Sequence, residues 1–178
     1  METKRDRLEV RALPGYPEEI GCWLWAMEDV RSKLLNKIGD LTQAELDAQI
    51  DGYPTTIGAL LYHIARVEAG WLYFDILQAN GFGADIEPWL RDEERDEQGM
   101  LSHETGESLD RYMERLAVVR RDFLNRFKAI DSEDWRRIRV LPDEYDVTPE
   151  WAVYHLLEHE AHHRGQIYRM IGQLRRRT

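Results

Sequence analysis

The stretch TPEWAVYHLLEHEAHHRGQIYRMIGQL, residues 148–174, decides the fold and most of the chemistry of this chain. Thr148 is a good N-cap, Pro149 suits a first helical turn and Glu150 favours the positive end of a helix dipole. Behind that start, Val153, Leu156, Leu157, Ile167, Met170, Ile171 and Leu174 recur with helical spacing, together with Trp151. The pattern predicts one long helix running nearly to the end. Four of the chain's six histidines, His155, His159, His162 and His163, fall within nine residues of it.

Three more long helical patterns precede it. The first begins near Pro17 and runs to about Ile38, with Ile20, Leu24, Met27, Leu34 and Ile38 as its apolar stripe and Gly39 as its stop. Thr42 and Glu45 form a capping box that opens a short extra helix. The second follows Pro54, capped by Thr55 or Thr56, and carries Ile57, Leu60, Leu61, Ile64, Val67 and Trp71. It should fade near Asn80, because Gly81 and Gly83 follow. The third runs from Ser108 to Ile130, with Leu109, Tyr112, Leu116, Val119, Phe123 and Phe127 facing inward. A polar connection from Gly81 to Glu107 separates the second and third, and is long enough to cross the end of a bundle. Asp131 to Val147 reads as irregular, with one β-like run from Ile138 to Leu141. The expectation is an all-α fold: a four-helix bundle with long connections between helices 2 and 3 and between helices 3 and 4. Residues 1–178 form one domain in this reading, with 1–15 as an N-terminal extension.

Bulk properties bound the function. The 178 residues are 43% hydrophobic and 33% charged, which suits a globular domain of long helices with solvated outer faces. A formal net charge of −10 argues against binding nucleic acid. The single cysteine, Cys22, excludes an internal disulfide, and its apolar surroundings read as a buried, inert thiol. No apolar run approaches the ~20 residues of a membrane span, and the charged residues 1–11 lack the apolar core of a signal peptide. A cytoplasmic protein is expected.

The histidines carry the chemistry. His155, His159 and His163 are each four apart and share one helix face. Imidazoles at i and i+4 can hold one small cation, whereas rings eight residues apart sit about 12 Å apart along the axis and cannot. The pair is therefore His159 with His163 or His155 with His159; His162 points in another direction. Burying four imidazoles without a ligand is costly, which favours a metal over simple packing. The segment 159–163 satisfies H-E-x-x-H, yet Arg169 stands where the extended protease pattern needs a third histidine, and residues 164–178 contain no His, Asp or Glu. A di-iron bundle would need a second Glu-x-x-His, which the second helix lacks. A third ligand must come from upstream: His63, a polar residue in the apolar run 60–65, or the alternative His103 in the polar connection. Three neutral imidazoles leave an open position, the coordination of a catalytic rather than a closed structural site.

Residues 56–68, TIGALLYHIARVE, followed much later by residues 159–167, HEAHHRGQI, resemble the DinB/YfiT-like superfamily. The likeness spans both ends of the helical core. It implies a four-helix bundle holding a divalent metal on His63, His159 and His163. Nickel or zinc is implied first, manganese or iron next. It further implies a low-molecular-weight thiol cofactor, a small-molecule substrate and a homodimer. The function expected is metal-dependent transfer in which the ion activates a thiol or water; the alternatives are a metal-dependent hydrolase or a non-catalytic metal-binding sensor. Glu160 is the one candidate catalytic residue, Gln166 a candidate partner of the ligands, and Gly165 a candidate site of close helix approach. Tyr62, Tyr154 and Trp151 are read as core.

Overall fold

The computed structural model describes residues 8–90, 93, 95, 99–101, 105–141 and 145–177, so His103 lies outside the described residues. It is mostly helical. The long helices are α1 (Glu18–Ile38), α3 (Ile57–Gly70), α4 (Leu109–Phe127) and α6 (Pro149–Arg177), with single-turn helices α2 (Gln43–Leu46) and α5 (Ser132–Trp135) between them. α3 packs against both α4 and α6, and α6 against α1.

Helix starts follow side-chain chemistry. The Thr42 hydroxyl accepts from the Glu45 N–H while the Thr42 N–H donates to the Glu45 carboxylate at 2.8 Å, so the capping box forms. Thr56, not Thr55, caps α3, its hydroxyl accepting from the Ala59 N–H at 3.1 Å. Ser108 caps α4 in the same way. Each cap satisfies an N–H that the helix itself leaves without an acceptor.

The departures from expectation are local. After Gly70 the chain does not continue as α-helix but widens into a π-helical segment, Trp71–Ile76, closed by Gln78 at φ 50°. A π-turn inserts an extra residue and re-aims the side chains that follow it. The segment after α4 is more regular than its composition implies. Asp131 caps α5, which drives Trp135 fully into the core. The β-like run finds a partner: β1 (Arg139–Leu141) pairs antiparallel with β2 (Tyr145–Val147), Val140 opposite Asp146. The connection after α3 is not merely solvated, since Ile86 and Leu90 are buried and the Arg115 Nε donates to the Trp89 carbonyl at 2.7 Å. Cys22 is only partly buried. Gly165 faces open space, so it does not admit a neighbouring helix. Gly58 has that role: a Cβ there would lie 2.6 Å from the Tyr112 hydroxyl oxygen, so α3 and α4 can approach only without a side chain.

The apolar stripe of α1 is interrupted by Arg31, which is 5% exposed. Arg31 belongs to a cluster of four buried charges, one from each long helix. The Arg31 Nε donates to Glu160 at 2.5 Å and an Nη to Glu68 at 2.7 Å. Arg120 donates to Glu68 at 2.7 and 2.9 Å and to Glu160 at 3.0 Å. Arg120 also reaches Glu28 at 2.7 Å, and Arg31 the Leu116 carbonyl at 3.0 Å. Burial alone would raise the Glu68 carboxyl pKa, but Arg120 and Arg31 outweigh it and hold the pKa below its usual value. Such a cluster adds little net stability over a well-packed apolar core, but removing one member strands the rest. Arg120→Met is expected to cost about 3–5 kcal/mol in urea unfolding, because Glu68 loses two charge-assisted hydrogen bonds and Glu160 one. A loss below about 1 kcal/mol would contradict the cluster's role.

Candidate metal centre

α3 and α6 bring three imidazoles to one point. His63 lies mid-α3, 5% exposed, among Leu60, Leu61 and Ile64. His159 and His163 sit one turn apart on α6. The His159 Nε2 is 3.0 Å from the His63 Nε2 and 3.1 Å from the His163 Nε2. One donor atom from each of the three rings lies within 4.8 Å of the others. Metal–nitrogen bonds of about 2.0–2.1 Å require donors roughly 3.0–3.4 Å apart, so the two short separations fit a shared ion.

The rings are tuned to be neutral. Burial, then the neighbouring His163 and Arg95, lowers the His63 pKa to about 4. Burial followed by the surrounding histidines, His163 and His63 foremost, lowers His159 to about 2. Burial also lowers His163, with His162 adding to the effect and Gln166 opposing it. Neutral imidazole is the form that binds metal. The His163 Nδ1 donates to the Gln166 carbonyl oxygen at 2.8 Å, which leaves the Nε2 lone pair facing the other two rings. The Gln166 amide in turn lies 3.0 Å from the Nε2 of exposed His162.

The remaining candidates are placed elsewhere. His155 does not join the group: its ring stacks on Trp151 at 5.2 Å and lies 4.7 Å from Trp71. Glu160 turns from the histidines into the buried charge cluster, where Arg31 and Arg120 occupy its carboxylate. Tyr62 is core, beneath the Arg115 guanidinium at 4.9 Å. Trp151 and Tyr154 are not core but 48% and 44% exposed, because they lie on the outer face of the first turns of α6, whose inner face, Ala152 and Val153, is fully buried.

The three rings form one wall of a cavity of ≈ 800 Å³. Trp71, Phe74 and Tyr145 form an aromatic wall, and the Tyr145 hydroxyl donates to buried Asp75 at 2.6 Å. Trp71 extends the apolar stripe read from the sequence, and Phe74 follows it at helical spacing. Asp75 was not singled out, because its partner Tyr145 is remote in sequence. Arg31 left a trace, a charge on an apolar stripe, whereas Glu68 and Arg120 left none.

A four-long-helix chain with an open three-histidine group defines a class of metal-binding helical proteins. The model of the DinB superfamily matches residues 26–167, which include all three histidines, and the chain belongs to that superfamily. No curated protein matches it. Among the described residues no helix is long and apolar enough to cross a membrane.

The depressed histidine pKa values set a pH dependence for the metal-free fold. Unfolded histidines take up protons near pH 6.5 whereas the folded rings resist, so protons favour the unfolded chain. Stability should be level above about pH 7 and fall as pH drops from 6.5 toward 4. His63 alone accounts for roughly 3 kcal/mol of that loss by pH 4, given a folded pKa of about 4. Urea unfolding across this range checks it; stability that rises on acidification would contradict the neutral-ring assignment.

Proposed function

We propose that the chain is a metal-dependent enzyme in which His63, His159 and His163 hold one divalent ion, nickel or zinc by preference, and the cavity beside them takes a thiol cofactor and a small-molecule substrate for transfer chemistry. The observation that carries this reading is the convergence of three neutral Nε2 atoms at the wall of a large cavity, with separations of 3.0 and 3.1 Å. An ion at that point supplies Lewis acidity, making a thiol or water nucleophilic at neutral pH. The protein's own residues do the rest. Gln166 fixes the His163 tautomer. Asp75 holds the Tyr145 hydroxyl proton at the cavity wall, where a reacting group can exchange with it. Trp71 and Phe74 exclude water from one side of the cavity, which strengthens polar interactions within it. Glu160 acts as a positioning residue, tying α6 to α1 and α4.

In this reading α1, α3, α4 and α6 form one four-helix bundle with long second and third connections, a single domain that works in the cytoplasm as a homodimer. Exposed Ile138, Val140 and Trp151 offer apolar surface that a second copy would cover.

The test is metal uptake and turnover together. Purified protein loaded with nickel or zinc should retain one ion per chain by elemental analysis. It should conjugate a low-molecular-weight thiol to an electrophile faster than it hydrolyses an ester or amide. His63→Ala should weaken metal binding by more than about a hundredfold, beyond the ~10–100-fold that losing an outer partner costs. It should lower kcat/KM at least as much, with unchanged circular dichroism. Hydrolysis without thiol transfer would favour the hydrolase; one bound ion with no turnover of either kind would favour the sensor. No retained metal would overturn the reading.

A further inference from the structure

Arg66 lines the cavity three residues after His63 on α3, about 4.5 Å further along the axis. It makes no ion pair or hydrogen bond among the described residues, and its Nε is buried without an acceptor. Its guanidinium carbon lies over the Phe82 ring, 4.6 Å from the centroid. That stacking accounts for one face of the group, at ~0.5–2 kcal/mol, but leaves the N–H edge without acceptors. Gly70, one turn on, adds no side chain beside it: a Cβ there would come to 3.8 Å from an Arg66 Nη. A second guanidinium, Arg95, lines the same cavity, with one Nη donating to the Gly99 carbonyl at 2.9 Å.

Among the described residues that line the cavity, Asp75 accepts the Tyr145 hydroxyl and Arg95 donates to the Gly99 carbonyl, whereas Arg66 makes neither an ion pair nor a hydrogen bond. A guanidinium edge with open donors matches a carboxylate fork, two parallel charge-assisted hydrogen bonds. Trp71 and Phe74 lie on α3's continuation, so the surface leading away from Arg66 is apolar.

From this arrangement we propose that the cavity binds a small organic anion, a carboxylate on an apolar or aromatic body, with the carboxylate on Arg66 and the body along Trp71 and Phe74 beside the three histidines. The inference deepens the reading of this cavity as a substrate site and names the substrate class. Arg66 is then the residue that selects anion over neutral analogue, and its stacking on Phe82 presents the fork before the ligand arrives.

The probes are 3-phenylpropanoate and its neutral isostere 3-phenylpropanamide, titrated calorimetrically into the full chain, both metal-free and cobalt-loaded. The carboxylate should bind wild type at least about tenfold tighter than the amide, the equivalent of one charged hydrogen bond. The preference should appear without metal, which separates it from a carboxylate bound to an ion. R66Q should bind acid and amide equally, and R66K should recover part of the difference, with circular dichroism unchanged in both. Equal affinities in wild type, no binding of either probe, or a preference that survives in R66Q would overturn the proposal. Cobalt uptake, read by visible absorption in the same samples, reports the metal site separately. Absent uptake with an intact carboxylate preference sinks only the metal, whereas normal uptake with equal affinities sinks only the anion site.

Discussion

Four buried charges constrain this molecule more than any apolar contact does. Arg31, Glu68, Arg120 and Glu160 come one each from α1, α3, α4 and α6, and none is more than 5% exposed. A buried charge cannot drift from its partner without stranding it, so the cluster sets the relative height and rotation of the four helices. Two of its members share helices with the candidate ligands. Glu160 adjoins His159 in sequence, and Glu68 follows His63 on α3 by five residues. With Glu68 and Glu160 both held by the same two arginines, α3 and α6 keep the register that puts the His63 ring 4.8 Å from that of His159. Packing of Leu and Ile side chains tolerates small slides; an ion cluster of this kind does so far less.

On this frame the two sides of α6 divide the work. One face carries Glu160 into the charged interior, and another carries His159 and His163 toward α3. Successive helical residues point about 100° apart, so Glu160 cannot serve both faces. The glutamate of the H-E-x-x-H string is bonded to Arg31 and Arg120 and faces away from the histidines. The site's polar partners are Gln166 on α6 itself, Asp75 from beyond Gly70 and Tyr145 from β2.

Legibility in the sequence followed the range of the interaction. The helix starts were readable because Thr42, Thr56 and Ser108 cap through hydrogen bonds three residues long. The two histidines of α6 were readable as an i, i+4 pair on one helix. Choosing His159 with His163 rather than His155 with His159 rested on the family resemblance alone, because both pairs satisfy the same period. What separates them is Trp71, whose ring claims His155 from another element. His63 was legible as a polar residue in an apolar run and through family resemblance, not through any spacing. The β1–β2 pairing, the burial of Trp135 and the role of Gly58 all depend on a partner remote in sequence or on a turn too short to show a period. Gly165 misled for the complementary reason: a helical glycine reads as close approach, yet no neighbour comes near it.

The central claim is that a single ion is shared by imidazoles from α3 and α6, and X-ray absorption at the zinc edge tests it most directly. Protein carrying one equivalent of zinc should show scattering from three imidazole rings with Zn–N near 2.0–2.1 Å, and from two rings in His63→Ala. A zinc spectrum that His63→Ala leaves unchanged would contradict the account.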